Sequence, residues 1–233
     1  MNTALLTIDD VPSKNTPAIV DYLKEKGIQP ILFATGENIE RHHEEAMYAV
    51  KSGILLGNHS YSHRHFSEMT LSECIEEIER CEDVLDKLYE KCGYVHAVRP
   101  FRFPYGDKGG ENRQAIDMYL REKRFDKVYD LDIPYEWWKN SKLKTDIDTF
   151  WTFDFEEYKI DREKGFTLQN VWDKILDPNP EYGAALFREG HRHILLMHAH
   201  DDTEKIVPCY WKLFLDYLFD NGIVFEAPRF VKA

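Results

Sequence analysis

The sequence predicts an α/β fold built on a parallel sheet, in a closed or partly closed barrel. Three observations predict it. Strand-like apolar runs alternate with helix-period segments about seven times from end to end, the signature of βα units. No linker, internal repeat or low-complexity tract divides the chain into halves. Its 233 residues, 43% hydrophobic, suffice for one large domain with a full core. A single domain over 1–233 follows.

The elements follow in order. "TALLTID" is an apolar run suited to a buried parallel strand. Thr16 then Pro17 reads as an N-cap with proline at the first helical position. That helix carries Ile19, Val20 and Leu23 on one face and stops at Gly27. "PILFATG" is the second strand, and "IERHHEEAMYAVKSG" is one helix closed by Gly53. "ILLGNHS" is the third strand. Thr70 and Glu73 then form a capping-box pattern. Cys74, Ile78, Cys81, Leu85 and Leu88 follow at helical spacing, and Gly93 ends the helix. "HAVRPFRFPYG" is a strand with its loop, and "FDKVYDLDI" and "DTFWTFDF" are further strands. "LQNVWDKIL" is a helix with Leu168, Val171, Trp172 and Ile175 inward. "HILLMHAHD", the helix "PCYWKLFLDYLFDNG" and the strand "IVFEAP" complete the pattern. Residues 107–150 are longer than an ordinary βα loop and are expected to shape the site.

Composition excludes several functions. The net charge of −12 argues against nucleic acid, whose phosphates require clustered Lys and Arg. It also disfavours anionic membranes, and no apolar run is long enough to span a bilayer. "MNTALLTIDD" lacks a basic segment and a long apolar core, so a cytoplasmic protein is expected, or an exported one if a leader has been removed. Cys74, Cys81, Cys92 and Cys209 form no CxxC and read as reduced, buried thiols. Nothing in the sequence indicates the oligomeric state.

Sites in parallel α/β folds form at the carboxyl ends of strands. Those ends carry Asp9-Asp10, His59 with His63, Arg102 with Tyr105, Trp151 with Asp154, and His198 followed by His200. Two histidines four apart can meet one metal from one face of a helical turn, with an aspartate as the third ligand. The same spacing also suits an exposed polar turn. Two adjacent aspartates at a strand end are expected to face different ways. One could ligate a metal while the other reaches the water it activates. A capping or turn role for the pair is the alternative. His198 suits a general acid, or a hydrogen-bonded core histidine.

Order and spacing join these pieces. "TIDDVP" at 7–12, "HSYSH" at 59–63, "RFPYG" at 102–106, "WTFDFEEY" at 151–158 and "LMH" at 196–198 resemble five motifs in sequence. They are those of the NodB-type polysaccharide deacetylases, carbohydrate esterase family 4. The resemblance implies a distorted (β/α)7 barrel and a hydrolase removing N-acetyl, or O-acetyl, groups from an acetylated sugar or polysaccharide. It implies Asp9 as catalytic base and His198 as acid. Asp10, His59 and His63 would hold Zn²⁺, or another divalent transition metal such as Co²⁺ or Ni²⁺. Ser60 would order the loop, Arg102 would orient Asp9, and the Tyr105 backbone N–H would meet the oxyanion. Leu196 would line the acetyl pocket, and Trp151 and Asp154 would belong to the substrate side.

The departures from the family pattern are Ile8 for Phe, Val11 for Gly, and Glu157-Tyr158 for Asp-Trp. Val11 is expected to alter access to the site. Glu157 would have to reach Arg102 with a longer side chain. His200 is a second candidate acid. Two other functions compete: an allantoinase-like amidohydrolase acting on a non-sugar C–N bond, and a non-catalytic carbohydrate binder with Trp137 and Trp138 as a stacking platform.

Overall fold

The structure is a computed structural model and describes residues 2–160 and 162–231. Its elements are β1 (Asn2–Val11), α1 (Thr16–Glu25), β2 (Ile31–Ala34), α2 (Gly36–Arg41), α3 (His43–Lys51) and β3 (Leu55–Asn58). After these come α4 (Leu71–Lys91), α5 (Arg113–Glu122), α6 (Glu136–Lys139) and β4 (Phe153–Asp154). The chain ends with α7 (Leu168–Leu176), β5 (Arg192–His198), α8 (Asp201–Ile206), α9 (Tyr210–Asp220) and β6 (Ile223–Phe225).

The sheet runs β3-β2-β1-β5-β4, all parallel, with β6 also on β1. β5 follows one edge of β1 from Thr3 to Asp9. The other edge is shared: β6 takes Asn2–Ala4, and β2 pairs with Thr7 to Val11. Closure comes from two thin contacts. Asn58 at the end of β3 bridges Phe101 in parallel, and the Thr149 N–H donates to the Phe101 carbonyl at 2.7 Å. The result is a distorted (β/α) barrel in which the Phe101 segment supplies the seventh strand position.

β1 shows why the barrel forms. Six consecutive residues, Ala4 to Asp9, are buried, as a strand covered on both faces requires. Ala4, Leu6 and Ile8 pack outward into the large core under the helices. Leu5 belongs to a second cluster with Ile31, Phe33 and Ile194, and Trp138 fills it from one side. The period of two carries Thr7 and Asp9 to the same side as Leu5.

Several sequence expectations shift. Thr16 is the first residue of α1 rather than its cap; its hydroxyl accepts from the Ser13 N–H at 2.8 Å. The single helix expected over 39–53 is two, broken at His42, where φ is −121° and ψ 50°. The cause is an early start: Thr35 caps α2, and Gly36 opens it where a Cβ would run into the Tyr61 ring. The strand expected over 96–106 shrinks to the Phe101 bridge, because Pro100 and Pro104 have no N–H to donate. That over 125–133 shrinks to an antiparallel bridge between Val128 and Phe230. Residues 107–150 hold α5 and α6 and do not line the site cavity directly; they act on it from behind, where the Thr149 carbonyl accepts from Arg102 and Phe150 stacks on Trp151. Cys74 and Cys81 are buried as expected, but Cys92 is half-buried and Cys209 exposed; all four are free thiols. The capping box of α4 is present, with both the Thr70 and Glu73 contacts made. No helix among the described residues is long and apolar enough to cross a membrane.

Candidate active site

The carboxyl ends of the parallel strands surround a cavity of about 520 Å³. Nine of the ten sequence-predicted residues line it: Asp9, Asp10, His59, His63, Tyr105, Trp151, Asp154, Leu196 and His198. The tenth, Arg102, is fully buried against them.

The two aspartates break the simple alternation. The β1–β2 register shifts between Ile8 and Val11, and Asp10 has φ +62°. This bulge re-aims Asp10. Both carboxylates therefore approach one imidazole: His59 Nε2 lies 3.5 Å from Asp9 and 3.7 Å from Asp10. The expectation that adjacent aspartates face different ways fails for this reason. Asn38 fixes the new geometry by donating to the Asp10 carbonyl at 2.8 Å.

The histidine loop is not a helical turn either. Ser60 and His63 both have positive φ. Ser60 takes the expected role: its N–H donates to Asn58 Oδ1 at 2.8 Å, and its hydroxyl accepts from the His63 N–H at 3.1 Å. Glu77 on α4 accepts from the Ser62 N–H and hydroxyl, each at 2.7 Å. His59 Nδ1 lies 2.8 Å from the Arg102 carbonyl. Nδ1–H must donate there, which leaves the Nε2 lone pair for the cavity. His63 Nε2 lies 3.2 Å from Asp10 Oδ1. Burial, outweighing the nearby Asp10, drops the His63 pKa to about 4, so its ring is neutral at pH 7. Asp10 goes the other way: burial raises it, but His63, the His200 hydrogen bond and His59 hold it well below the usual carboxylate range. One atom from each of Asp10, His59 and His63 falls within 4.8 Å of the others. A carboxylate and two imidazole nitrogens fit a divalent transition metal.

Arg102 serves Asp9. Its Nη1 donates to Asp9 Oδ1 and to the Thr7 hydroxyl, each at 2.7 Å, and Nε donates to the Thr149 carbonyl at 2.9 Å. The guanidinium lies over the Phe33 ring, 4.4 Å from its centre. Glu157 does not reach Arg102. It is fully buried and turns to His198 instead: Oε1 accepts from the His198 N–H at 2.6 Å and lies 3.2 Å from Nδ1. Burial opposes a charged His198, but the Glu157 hydrogen bond and the charges of Glu157, Asp154 and Asp10 overcome it and raise the pKa to about 10. Asp154, beside this pair, is pushed by burial up to about 6. Tyr158 packs edge-on against His198 with ring centres 4.6 Å apart.

Other expectations resolve as follows. Val11 lies in the large core and does not line the cavity, so it does not narrow access. Trp138 is buried and Trp137 exposed, and neither lines the cavity, so they form no platform over the site. His65 stacks on Tyr105 at 3.9 Å, bracing a residue with φ +58°. His200, the second candidate acid, lines the cavity and has its Nε2 2.6 Å from Asp10 Oδ2. Sequence reasoning missed that contact, the Asn38 strut and the true partner of Glu157. The second histidine of "HAHD" was a visible signal for the first; nothing marked Asn38.

Fold and site together define an α/β barrel with a metal-capable acid–histidine centre at its rim. Residues 1–119, just over half of the chain, match the family model for polysaccharide deacetylase. The chain belongs to this family, the NodB-type domains of carbohydrate esterase family 4. It is similar to the peptidoglycan-N-acetylmuramic acid deacetylase PdaC of Bacillus subtilis, 30% identical over 145 residues, covering 61% of this chain and 28% of that protein. It is also similar to a peptidoglycan-N-acetylglucosamine deacetylase of Bacillus cereus, 34% identical over 103 residues, covering 44% and 36% respectively. The matches thus span 28% and 36% of the two relatives' own lengths. A Streptococcus mutans CE4 esterase structure shares the fold, with a TM-score of 0.68 over 97% of this chain and 85% of that one at 17% identity.

Proposed function

We propose that the chain is a metal-dependent deacetylase that hydrolyses N-acetyl, or O-acetyl, groups of an acetylated sugar or polysaccharide. One observation carries the reading. A carboxylate bonded to a buried arginine (Asp9) and a histidine paired to a buried glutamate (His198) flank a centre of Asp10, His59 and His63 in one cavity. Base, acid and candidate ligands are all present, which argues against a non-catalytic binder. The names of the curated relatives support sugar-linked acetamides as the substrate class.

Asp10, His59 and His63 would hold the ion. When bound, such an ion polarises a carbonyl and lowers the pKa of water. The protein does the rest. Asp9 has one oxygen on Arg102 and the other toward the centre, 3.5 Å from His59 Nε2, so the second oxygen can take a proton from the attacking water. The carbonyl carbon gains the water oxygen, and the Tyr105 backbone N–H is the candidate donor to the oxyanion. His198 Nδ1 is tied to Glu157, which leaves Nε2 to deliver a proton to the departing amine nitrogen as the C–N bond breaks. Acetate and a free amino sugar result. Leu196 and Trp151, both on the cavity wall, would enclose the acetyl methyl.

The test is acetate release from chitooligosaccharides, peptidoglycan fragments, acetylxylan and small amides, with and without a chelator. Chelator-sensitive acetate release from at least one sugar is expected. Ring opening of cyclic amides without acetate release would replace this reading with the amidohydrolase one, and silence on the whole panel would remove it.

A further inference from the structure

We infer that His200 is a positioning residue of the metal centre: it holds one oxygen of the Asp10 carboxylate so that the other faces His59 and His63. This rests on the metal-dependent reading above and adds a component to it. The Asp10 oxygens are divided. Oδ2 lies 2.6 Å from His200 Nε2, while Oδ1 lies 3.2 Å from His63 Nε2 and 3.7 Å from His59 Nε2. An ionised carboxylate can only accept, so His200 Nε2 carries the hydrogen and donates. With that nitrogen spent on the ligand, His200 acts on Asp10 rather than competing with it for the ion.

The ring is held in place from behind. The Ala199 N–H donates to the Asp9 carbonyl at 3.1 Å, and the His200 N–H donates to the Tyr210 hydroxyl at 3.2 Å. That hydroxyl in turn donates to the His198 carbonyl. The segment 198–200 is thus fastened to β1 on one side and α9 on the other. His200 Nδ1 is buried and has no hydrogen-bond partner among the described residues, so this side chain makes its one hydrogen bond to Asp10. A half-buried imidazole that spends its polar contact on a candidate ligand orients that ligand before any ion arrives. Asp10 is then gripped at its carboxylate by His200 and at its carbonyl by Asn38.

The test uses Co²⁺ alone, titrated into the full chain against a competing chelator and read by its visible ligand-field bands. His200→Ala is expected to weaken Co²⁺ binding on the order of 10- to 100-fold, the range for an outer partner of a ligand, with the bands unmoved. His200→Gln, whose amide can donate to the same oxygen, is expected to recover most of that loss; a role in folding alone would not be rescued this way. Wild-type affinity in His200→Ala overturns the inference. So do shifted bands, which would make His200 a ligand, and so does a Gln variant as weak as the Ala one. Failure of the unaltered chain to bind Co²⁺ would remove the metal-dependent function itself, whereas tight binding by both wild type and His200→Ala removes this inference alone.

Discussion

Two clusters of the same side-chain types share the cavity and behave in opposite ways. On the β1–β3 side, Asp10 faces His59 and His63. On the β4–β5 side, Asp154 and Glu157 face His198. His63 is driven down to about 4, and His198 up to about 10. The difference is one of count and contact. The first cluster spreads one carboxylate over several rings, none held by it closer than 3.2 Å except His200. The second gives one ring two carboxylates, one of them bonded to both its Nδ1 and its backbone N–H. The first arrangement leaves lone pairs free for an ion; the second keeps a proton ready to give.

The comparison breaks first at Asp10. Asp10→Ala should abolish metal binding and deacetylation together; retained activity on N-acetylglucosamine oligomers would show that the first cluster is not a metal centre. Next is the base. Asp9→Asn should lower kcat roughly 10²- to 10⁴-fold with metal content unchanged, the range for losing a general base. Equal loss of metal would instead assign Asp9 to the ligands. Arg102 comes third. Arg102→Met leaves Asp9 buried without its partner, a change worth about 3–5 kcal/mol of stability by chemical denaturation.

The acid cluster gives the pH predictions. If His198 is the proposed acid it must be protonated to act, and kcat/KM should fall as pH rises through about 10. Glu157→Gln removes the contacts that raise it, so that limb should move down toward the ordinary histidine value near 6.5. An unmoved limb would assign it to another group. The smallest effect is on stability. A histidine raised in the folded state stabilises fully below about pH 6.5 and loses that contribution as pH climbs through about 10. Between pH 7 and 10 the Tm of the wild type should therefore drop further than that of His198→Gln.

Legibility followed periodicity. β1, α4 and β5 could be read because their apolar residues repeat with the strand or helix period and meet a continuous core. The weak closure of the barrel could not, since Pro100 and Pro104 interrupt an otherwise strand-like run and one bridge does the work of a strand. Nine of the ten candidate positions could be placed at or near strand ends, and Leu196 only through the family resemblance, but their mutual geometry could not. The left-handed backbone at Asp10 leaves no mark in composition, and neither does the choice of His198 over Arg102 by Glu157. Those depend on contacts between residues roughly 40 to 190 positions apart, beyond the reach of local patterns.

The bulge at the end of β1 has a mechanical consequence. Asp9 and Asp10 are adjacent residues, held at their carboxylates by Arg102 and His200 respectively and at the Asp10 carbonyl by Asn38. The proposed proton acceptor and the proposed ion holder are thus geared to each other. A shift that tightens the grip on the ion must also swing the proton acceptor, so the two cannot be adjusted independently. A Val or Ile at position 10 would straighten the strand and disengage both at once.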